Sequence, residues 1–354
     1  MKYSLIVLFV LLVASCKSSN NPDVSGLKKI DSIVIDRSSA EEAISYTINN
    51  NEVNFAFINR HSYVEVWNAR QLLDSFYIGN TITDRYCFSV SHGALCILNI
   101  PQQNLTIYNH NDTRQYDLPK NQVCIQFPLE PKLINNSLVL FALPPHPKIQ
   151  KDDISFFALV HFVQYKINDT ILTVQDTFGN FPPEYTKNLY GETFPATCQM
   201  SDSVCAYIYG AETTIHIRNM DTHTTRNYEV NGIHKNYMYP VDMDSMHSLY
   251  YNKQHDIRTD KNLKLMYDPV SSNFLLMQTL KIENNDKNEI YQPLPEDKSV
   301  LISVIDKSFK IIRQYRAANL IDYFYYNFYY YNNVLYMHRM YKHNAKIIID
   351  AYQI

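Results

Sequence analysis

Two stretches of the chain repeat one another. Residues 87–118, CFSVSHGALCILNIPQQNLTIYNHNDTRQYDL, run alongside residues 198–230, CQMSDSVCAYIYGAETTIHIRNMDTHTTRNYEV. Cys96 falls on Cys205, Arg114 on Arg226, and Tyr116-Asp117-Leu118 on Tyr228-Glu229-Val230. The likeness continues downstream, where FPLEPKLINNSLVLF from Phe127 sits against YPVDMDSMHSLYY from Tyr239. The offset stays between 109 and 112 residues through about 50 positions, and a fainter third copy starts near Asn332 and runs to Ile354. Each copy of a repeat buries its apolar face against its neighbours, so the period constrains the architecture. A period of ~110 residues is too long for one propeller blade of ~40–50 and fits two blades of ~55. At ~55 residues a blade, the chain after its leader holds about six.

The short-range pattern agrees. Val64, Val66 and the run Leu72 to Ile78 alternate or stay apolar over strand lengths. So do Ala94–Ile100, Leu105–Tyr108, Ser137–Leu143, Val204–Tyr209, Thr214–Ile217, Val300–Ile305 and Lys346–Ile349. Strand signals every ~8–12 residues with turn signals between them mark an all-β fold. No long amphipathic helix is evident; SSAEEA, Ser38 to Ala43, has helix-cap chemistry sufficient for a turn or two. A tandem pair of sandwich domains would need a linker, and no Pro/Ser/Gly-rich stretch separates the copies between residues 141 and 198. The expected fold is therefore an all-β propeller of about six mostly four-stranded antiparallel blades. Its ring is closed by an N-terminal strand near KKIDSIVID, Lys28 to Asp36, joining the last blade. Closure of this kind leaves only short, protected sheet edges.

Composition sharpens the picture in three places. The 29 Tyr and 17 Phe suit pleated, half-buried surfaces. With only 7 Gly, turns must rely on Asn, Asp, Ser and Pro. A net charge of −3 gives no basic surface for nucleic acid.

The first residues have the character of an export signal. Met1-Lys2 is cationic and Tyr3 to Val13 is apolar apart from Ser4. That run is about half of the ~20 residues a spanning helix needs, and it matches the apolar core of a secretory signal. It ends in Val13-Ala14-Ser15-Cys16, which resembles a bacterial lipobox. The resemblance implies cleavage before Cys16 and a lipid on its thiol, so residues 1–15 are expected to be a lipoprotein signal peptide. More than one acyl chain makes such an anchor stable. The residue after Cys16 is Lys17 rather than the Asp typical of inner-membrane retention, which implies an outer-membrane lipoprotein of the cell envelope. Residues 16–27 are expected to be a flexible tether, and residues 28–354 the propeller. The alternative, an ordinary cysteine after an ordinary signal, leaves Cys16 unmodified.

Five cysteines remain: Cys87, Cys96, Cys124, Cys198 and Cys205. Cys87/Cys96 and Cys198/Cys205 each flank a hairpin turn. A two-residue loop would set either pair opposite one another and a three-residue loop would put them on opposite faces. Buried thiols and at least one bridge are both open, although the odd count leaves one thiol over. No C-x-x-C occurs, which argues against structural zinc.

Few motifs carry chemistry. Asp242, Asp244 and His247 alternate oxygen and nitrogen donors, but the Gly and Glu of a calcium loop are out of register. Met337, His338, Met340 and His343 are soft ligands suited to copper, yet Met337 and His338 point to opposite faces of a strand. DYFYYNFYYYNN, Asp322 to Asn333, is the densest aromatic run, and both faces of a blade strand need such cover. FGNFPPEY places Glu184 and Tyr185 beside the stiff Pro182-Pro183 pair, and a rigid loop can present ligand contacts; the same loop can equally be a turn that positions two strands. No G-x-S-x-G, H-E-x-x-H or Gly-rich phosphate loop is present. No catalytic residue, metal or cofactor is expected.

The chain resembles the six-bladed, TolB-like propeller lipoproteins of Bacteroidota, most of them in families of unknown function. The resemblance rests on the lipobox at Cys16, on DTFGNFPPEY from Asp176 to Tyr185, and on MYDPVSSNFLLMQTLKI from Met266 to Ile282. The first of these two motifs is similar to the Phe-Gly-x-(Tyr/Phe)-Pro turn between blades of that group. The second is similar to its entry into a blade strand. The paucity of Gly at the other blade turns departs from the group. The group supplies no agreed catalytic residues. The expected function is a lipid-anchored envelope module that binds a protein or glycan partner without catalysis. The alternative is an enzyme with an axial site acting on a glycan or peptide.

Overall fold

A computed structural model describes residues 24–36, 40–49, 51–59, 63–79, 86–91, 93–109, 112–119, 123–124, 132–134, 137–143, 161–169, 171–186, 190, 194–238, 255, 257–282, 298–317, 323–339 and 346–354. They form six antiparallel sheets arranged as a six-bladed β-propeller. Blade I comprises the strands Ala40–Asn49, Glu52–Asn59, Tyr63–Trp67 and Leu72–Tyr77, and blade II comprises Tyr86–Ser91, Ala94–Asn99, Asn104–Asn109 and Asp112–Asp117. Blade III holds Val123–Cys124 and Lys132–Ile134 side by side on Ser137–Leu143, then His161–Ile167 and Leu172–Phe178. Blade IV runs Ala196–Ser201, Val204–Ile208, Thr214–Asn219 and Thr224–Glu229, and blade V Lys261–Asp268, Asn273–Thr279, Val300–Ile305 and Ile311–Ala317. Blade VI runs Tyr323–Tyr331, Val334–Arg339 and Lys346–Gln353, and takes its fourth strand, Lys28–Asp36, from the other end of the chain.

The internal repeat is two blades long. Its copies are blades II and IV, with blade III between them, and the fainter copy lies in blade VI. The first strands of consecutive blades touch around the axis, from blade IV to V, V to VI, VI to I and I to II. Clusters of buried apolar side chains fill the seams between blades. Ala56, Val64 and Val66 meet Phe88, Leu95 and Ile97 between blades I and II. Leu98 and Leu105 meet Leu138 and Val163 between II and III. Met277 and Ile302 meet Phe328 and Leu335 between V and VI. Burying a side chain of this size contributes about 1.5–3 kcal/mol, which is why blades flat in isolation stack into a ring.

The closing strand is the one expected. Lys28 to Asp36 pairs with Gln353 to Lys346, with a bulge at Ile30. Ile33 and Ile35 bury against Phe55 and Phe57 of blade I, together with Ile347 and Ile349. On the other side an ionic clamp holds the joint. Asp350, fully buried, pairs with Lys29 Nζ at 2.7 Å, with Arg339, and with the Ser32 hydroxyl at 2.6 Å. Two residues of the stretch read as tether, Val24–Ser25, also pair, with Ala317 and Arg316, and add a fifth strand to blade V.

One local reading is corrected. The helix-cap chemistry of SSAEEA does not yield a turn of helix: Ala40–Asn49 is the first strand of blade I, with an irregularity between Ala40 and Ile44. Pairing with the Glu52–Asn59 strand overrides a weak local propensity. The shortage of Gly is met as composition requires, since Asn51, Ser272, Asn332 and Asn333 take positive φ in tight turns. Phe309 does so too, at φ 60°. A bulky residue rarely adopts this conformation. Here its ring stacks on Tyr228 at 4.1 Å and its carbonyl accepts from Asn231 N at 3.1 Å, which ties blade V to blade IV.

Candidate functional site

Antiparallel blades sort their connections by end. The first and third connections in each blade leave one end; the second connection and the link to the next blade leave the other. At the first end every connection has two to five residues, from 50–51 in blade I to 306–310 in blade V and 332–333 in blade VI. At the other end blades III to V carry the long ones: residues 144–160, 179–195, 230–260 and 280–299. Long loops on a rigid scaffold are where binding residues concentrate. This end of blades III, IV and V is the candidate functional face.

The link from blade III to blade IV is the DTFGNFPPEY motif, lying between blades as the resemblance implies. Gly179 adopts φ +71°, and a Cβ there would stand 2.6 Å from Phe162 Cδ2, so the position admits only glycine. The Tyr209 hydroxyl donates to the Gly179 carbonyl. Phe181 packs on Tyr209 at 4.6 Å and on Tyr185 at 5.0 Å. A single turn of 3-10 helix, Pro183–Thr186, then separates the two candidate contacts. Tyr185 is fully buried, accepts a hydrogen bond from Ala211 N at 2.8 Å and donates to Met238 Sδ at 3.4 Å. Burial pushes its phenol pKa well up, as it does for Tyr209. Tyr185 is thus a pillar of the fold and Glu184 alone is exposed. Below them, Asp176 of blade III pairs with Arg218 of blade IV, whose guanidinium lies 4.8 Å from the Phe178 ring centre. His216 stacks on Tyr207 at 4.7 Å and contacts Glu212 through Nε2 at 2.8 Å. Burial alone would lower its pKa; the hydrogen bond and charge of Glu212, with help from Asn227, outweigh burial and raise it.

Between blades IV and V the loop roots are bound by a buried amide network. Asn262 Nδ2 donates to the carbonyls of Tyr209 at 2.7 Å and Glu212 at 2.8 Å. Asn236 Nδ2 reaches the Gly210 carbonyl at 2.6 Å and Asn262 Oδ1 at 2.9 Å. Gln278 Nε2 donates to the His234 carbonyl and to Asn236 Oδ1, both at 2.9 Å. Beside it Asp260, 3% exposed, accepts from Lys281 N, from Tyr237 N at 3.4 Å and from the His234 ring at 3.2 Å. Lys298, also buried, donates to the Thr259 carbonyl at 2.6 Å. Gln278 Oε1, buried beside them, has no partner among the described residues; the bonds that are made fix the geometry of the strands and loops they join.

None of His234, Asn236, Asp260, Asn262 and Gln278 stands out in the sequence. The signal that could have found them is an unusual density of polar residues flanking the apolar run Asn273–Thr279. The other sequence candidates do not join this face. Met337 is fully buried between blades V and VI, and His338 is buried on the opposite side of the same strand, its pKa lowered by burial to about 4. Met340, His343, Asp242, Asp244 and His247 lie outside the described residues. Among the described residues no group of three or more His, Cys, Asp or Glu is placed to hold a metal ion. The aromatic run is core where its side chains are described: Phe328 and Tyr330 pack toward blade V, Tyr329 and Tyr331 toward blade I. Cys87, Cys96, Cys198 and Cys205 are thiols rather than disulfide halves. The hairpin turns fall later than a bridge requires. Cys96 faces Ser89, not Cys87, and Cys205 faces Gln199, not Cys198. The side chain of Cys124 is outside the described set.

No family model matches the chain and no curated protein matches it. Solved structures do. A member of the DUF4221 family from Bacteroides vulgatus superposes with a TM-score of 0.66 over 92% of this chain and 97% of its own, at 13% identity. BamB from Moraxella catarrhalis covers 93% of this chain and all of its own, at a TM-score of 0.40 and 10% identity. At such identities the likeness establishes the six-bladed propeller fold and nothing finer.

Proposed function

We propose that the chain is a lipid-anchored propeller of the cell envelope that acts as a binding or scaffold module, seating a protein or glycan partner on the long-loop face of blades III to V. One observation carries the reading: connections of 17 to 31 residues gather at one end of three adjacent blades, above a buried hydrogen-bond network, while those of the opposite end have two to five residues. The lipobox-like Val13-Ala14-Ser15-Cys16 supports the anchor and the grouping with TolB-like lipoproteins. Strand pairing begins at Val24, so seven residues, Lys17 to Asp23, would separate the lipid from the ring. Fully extended they reach at most ~25 Å, which would keep the ring close to the bilayer.

Two variants test the two halves. Cys16→Ser should yield an unacylated chain that leaves the membrane fraction; an acylated, membrane-bound variant rejects the anchor. Replacing residues 284–296 with a short Gly-Ser link should preserve the pairing of Asn273–Thr279 with Val300–Ile305 and abolish crosslinking of the lipidated chain to its envelope partner. Equal crosslinking by both forms rejects the binding face.

A further inference from the structure

Asp260 organises more than the network beneath it. Its carboxylate gathers two chain segments, one through His234 and Tyr237 N and the other through Lys281 N, and is itself almost wholly buried. The side chains those segments send outward are of one kind. Tyr237 shows a ring 53% exposed, with Lys281 Nζ 5.4 Å from its centre. Lys235 and Arg258, neighbours of His234 and Thr259, are exposed as well. Among the described residues the segments that meet at Asp260 thus carry three exposed cations and an exposed aromatic ring, on a chain whose net charge is −3. His234 completes the set. Its Nε2 lies 3.2 Å from Asp260 Oδ2, which leaves Nδ1 to bond a ligand at a side chain 40% exposed.

We propose that this surface binds an acidic glycan through a hexuronate residue. The chemistry fits in three parts. A pyranose presents apolar C–H groups on one face, which pack on an exposed aromatic ring at little entropic cost, because the ring is rigid. The Lys281 ammonium lies over the ring in the free protein; its exposed side chain swings aside to admit the sugar and pairs with the carboxylate at the sugar's rim. A ring hydroxyl bonds His234 Nδ1. An acidic peptide would satisfy the charge but leave the Tyr237 plate and His234 Nδ1 unused. The inference deepens the binding-module reading and rests on it.

The test is calorimetric titration of the full chain in detergent with short oligogalacturonates, their methyl esters, free galacturonate and poly-L-glutamate. Oligogalacturonate should bind, and the uncharged ester about tenfold or more weaker. Tyr237→Ala and Lys281→Met should each cost about tenfold in affinity while leaving the unfolding midpoint unchanged, and Lys281→Arg should restore most of the loss. Added salt should weaken the wild type and hardly affect Lys281→Met. The proposal is overturned if oligogalacturonate fails to bind at millimolar concentration, or if Tyr237→Ala binds as well as wild type. Equal binding of poly-L-glutamate or of free galacturonate overturns it too. If uronate fails while shortening of residues 284–296 still abolishes partner crosslinking, this assignment falls and the binding face stands.

Discussion

The seam between blades III and IV and the joint that closes blade VI both place an aspartate against an arginine, and they use the pair differently. At the seam, Asp176 and Arg218 are backed by aromatic rings and by the Gly179–Tyr209 contact, and the two blades are consecutive in the chain. At the joint, Asp350 holds Arg339 and Lys29, and the strands it unites come from opposite ends of the chain. A seam between consecutive blades survives a local loss because covalent linkage keeps its halves near one another. The joint has no such backing, and every stabilising contact there must offset the entropy of holding the two ends together. The difference teaches that, of these two pairs, the more enclosed serves the joint: Asp350 is wholly buried where distant strands of the chain meet, whereas Asp176 is 24% exposed.

The largest expected effect tests that contrast directly. Asp350→Ala leaves Arg339 and Lys29 without their shared counter-charge and should destabilise the fold by roughly 3–5 kcal/mol, the range for breaking a buried pair. Chemical denaturation measures the loss. Limited proteolysis should show cleavage within residues 24–36 before any other site, and unchanged protection of those residues would dissolve the distinction.

The two regions should also respond to acid in opposite directions. His338, in blade VI, has its pKa lowered to about 4 against an ordinary value near 6.5. Its contribution is complete above the ordinary value and lost as pH falls toward 4, because the unfolded chain takes up a proton that the folded chain refuses. That loss is roughly 3 kcal/mol. His216, beside the seam, has a raised pKa. Its contribution is complete below the ordinary value and lost as pH rises through the folded one. His338→Gln should therefore flatten the decline in denaturation midpoint between pH 6.5 and 4, and Glu212→Gln should remove the opposing gain. A wild-type profile unchanged by either variant would show that neither histidine governs its region.

The smallest of the three effects sharpens the seam. Gly179→Ala meets Phe162 at 2.6 Å on a left-handed backbone, and should cost about 2 kcal/mol. The same denaturation series would read it, and Tyr86–Asp117, in blade II on the far side of blade III, should keep its hydrogen-exchange protection.

Much of this frame is legible in the sequence, for a reason. Strands buried on both faces are mostly apolar, and Phe274–Met277 within Asn273–Thr279 and VLISVI at Val300–Ile305 read so. The closing strand is legible because Ile33 and Ile35 alternate with Ser32 and Val34. The outermost strands are not. Asp112–Asp117 buries only Tyr116, and Thr224–Glu229 leaves all but Tyr228 exposed, so neither has an apolar stripe. The Arg-Gln-Tyr of residues 114–116 returns as Arg-Asn-Tyr at 226–228 and Arg-Gln-Tyr at 313–315, a repeat of outer strands visible only once the blades are aligned. The candidate face is illegible for a deeper cause. Asn236, Asn262 and Gln278 bond chiefly to main-chain carbonyls, which every residue supplies alike, so nothing in the partner residues announces the contact.

Blade VI has one more property, and it concerns order in time. Its fourth strand is made long before its third, with Ser32 bonded to Asp350 across 318 positions. Contacts of such separation form slowly. Until residues 346–353 arrive, the segment 28–36 has no partner strand and the ring stands open. Closure of the ring is thereby coupled to synthesis of residues 346–353, and a product truncated before them is left with an unpaired edge that a protease can find.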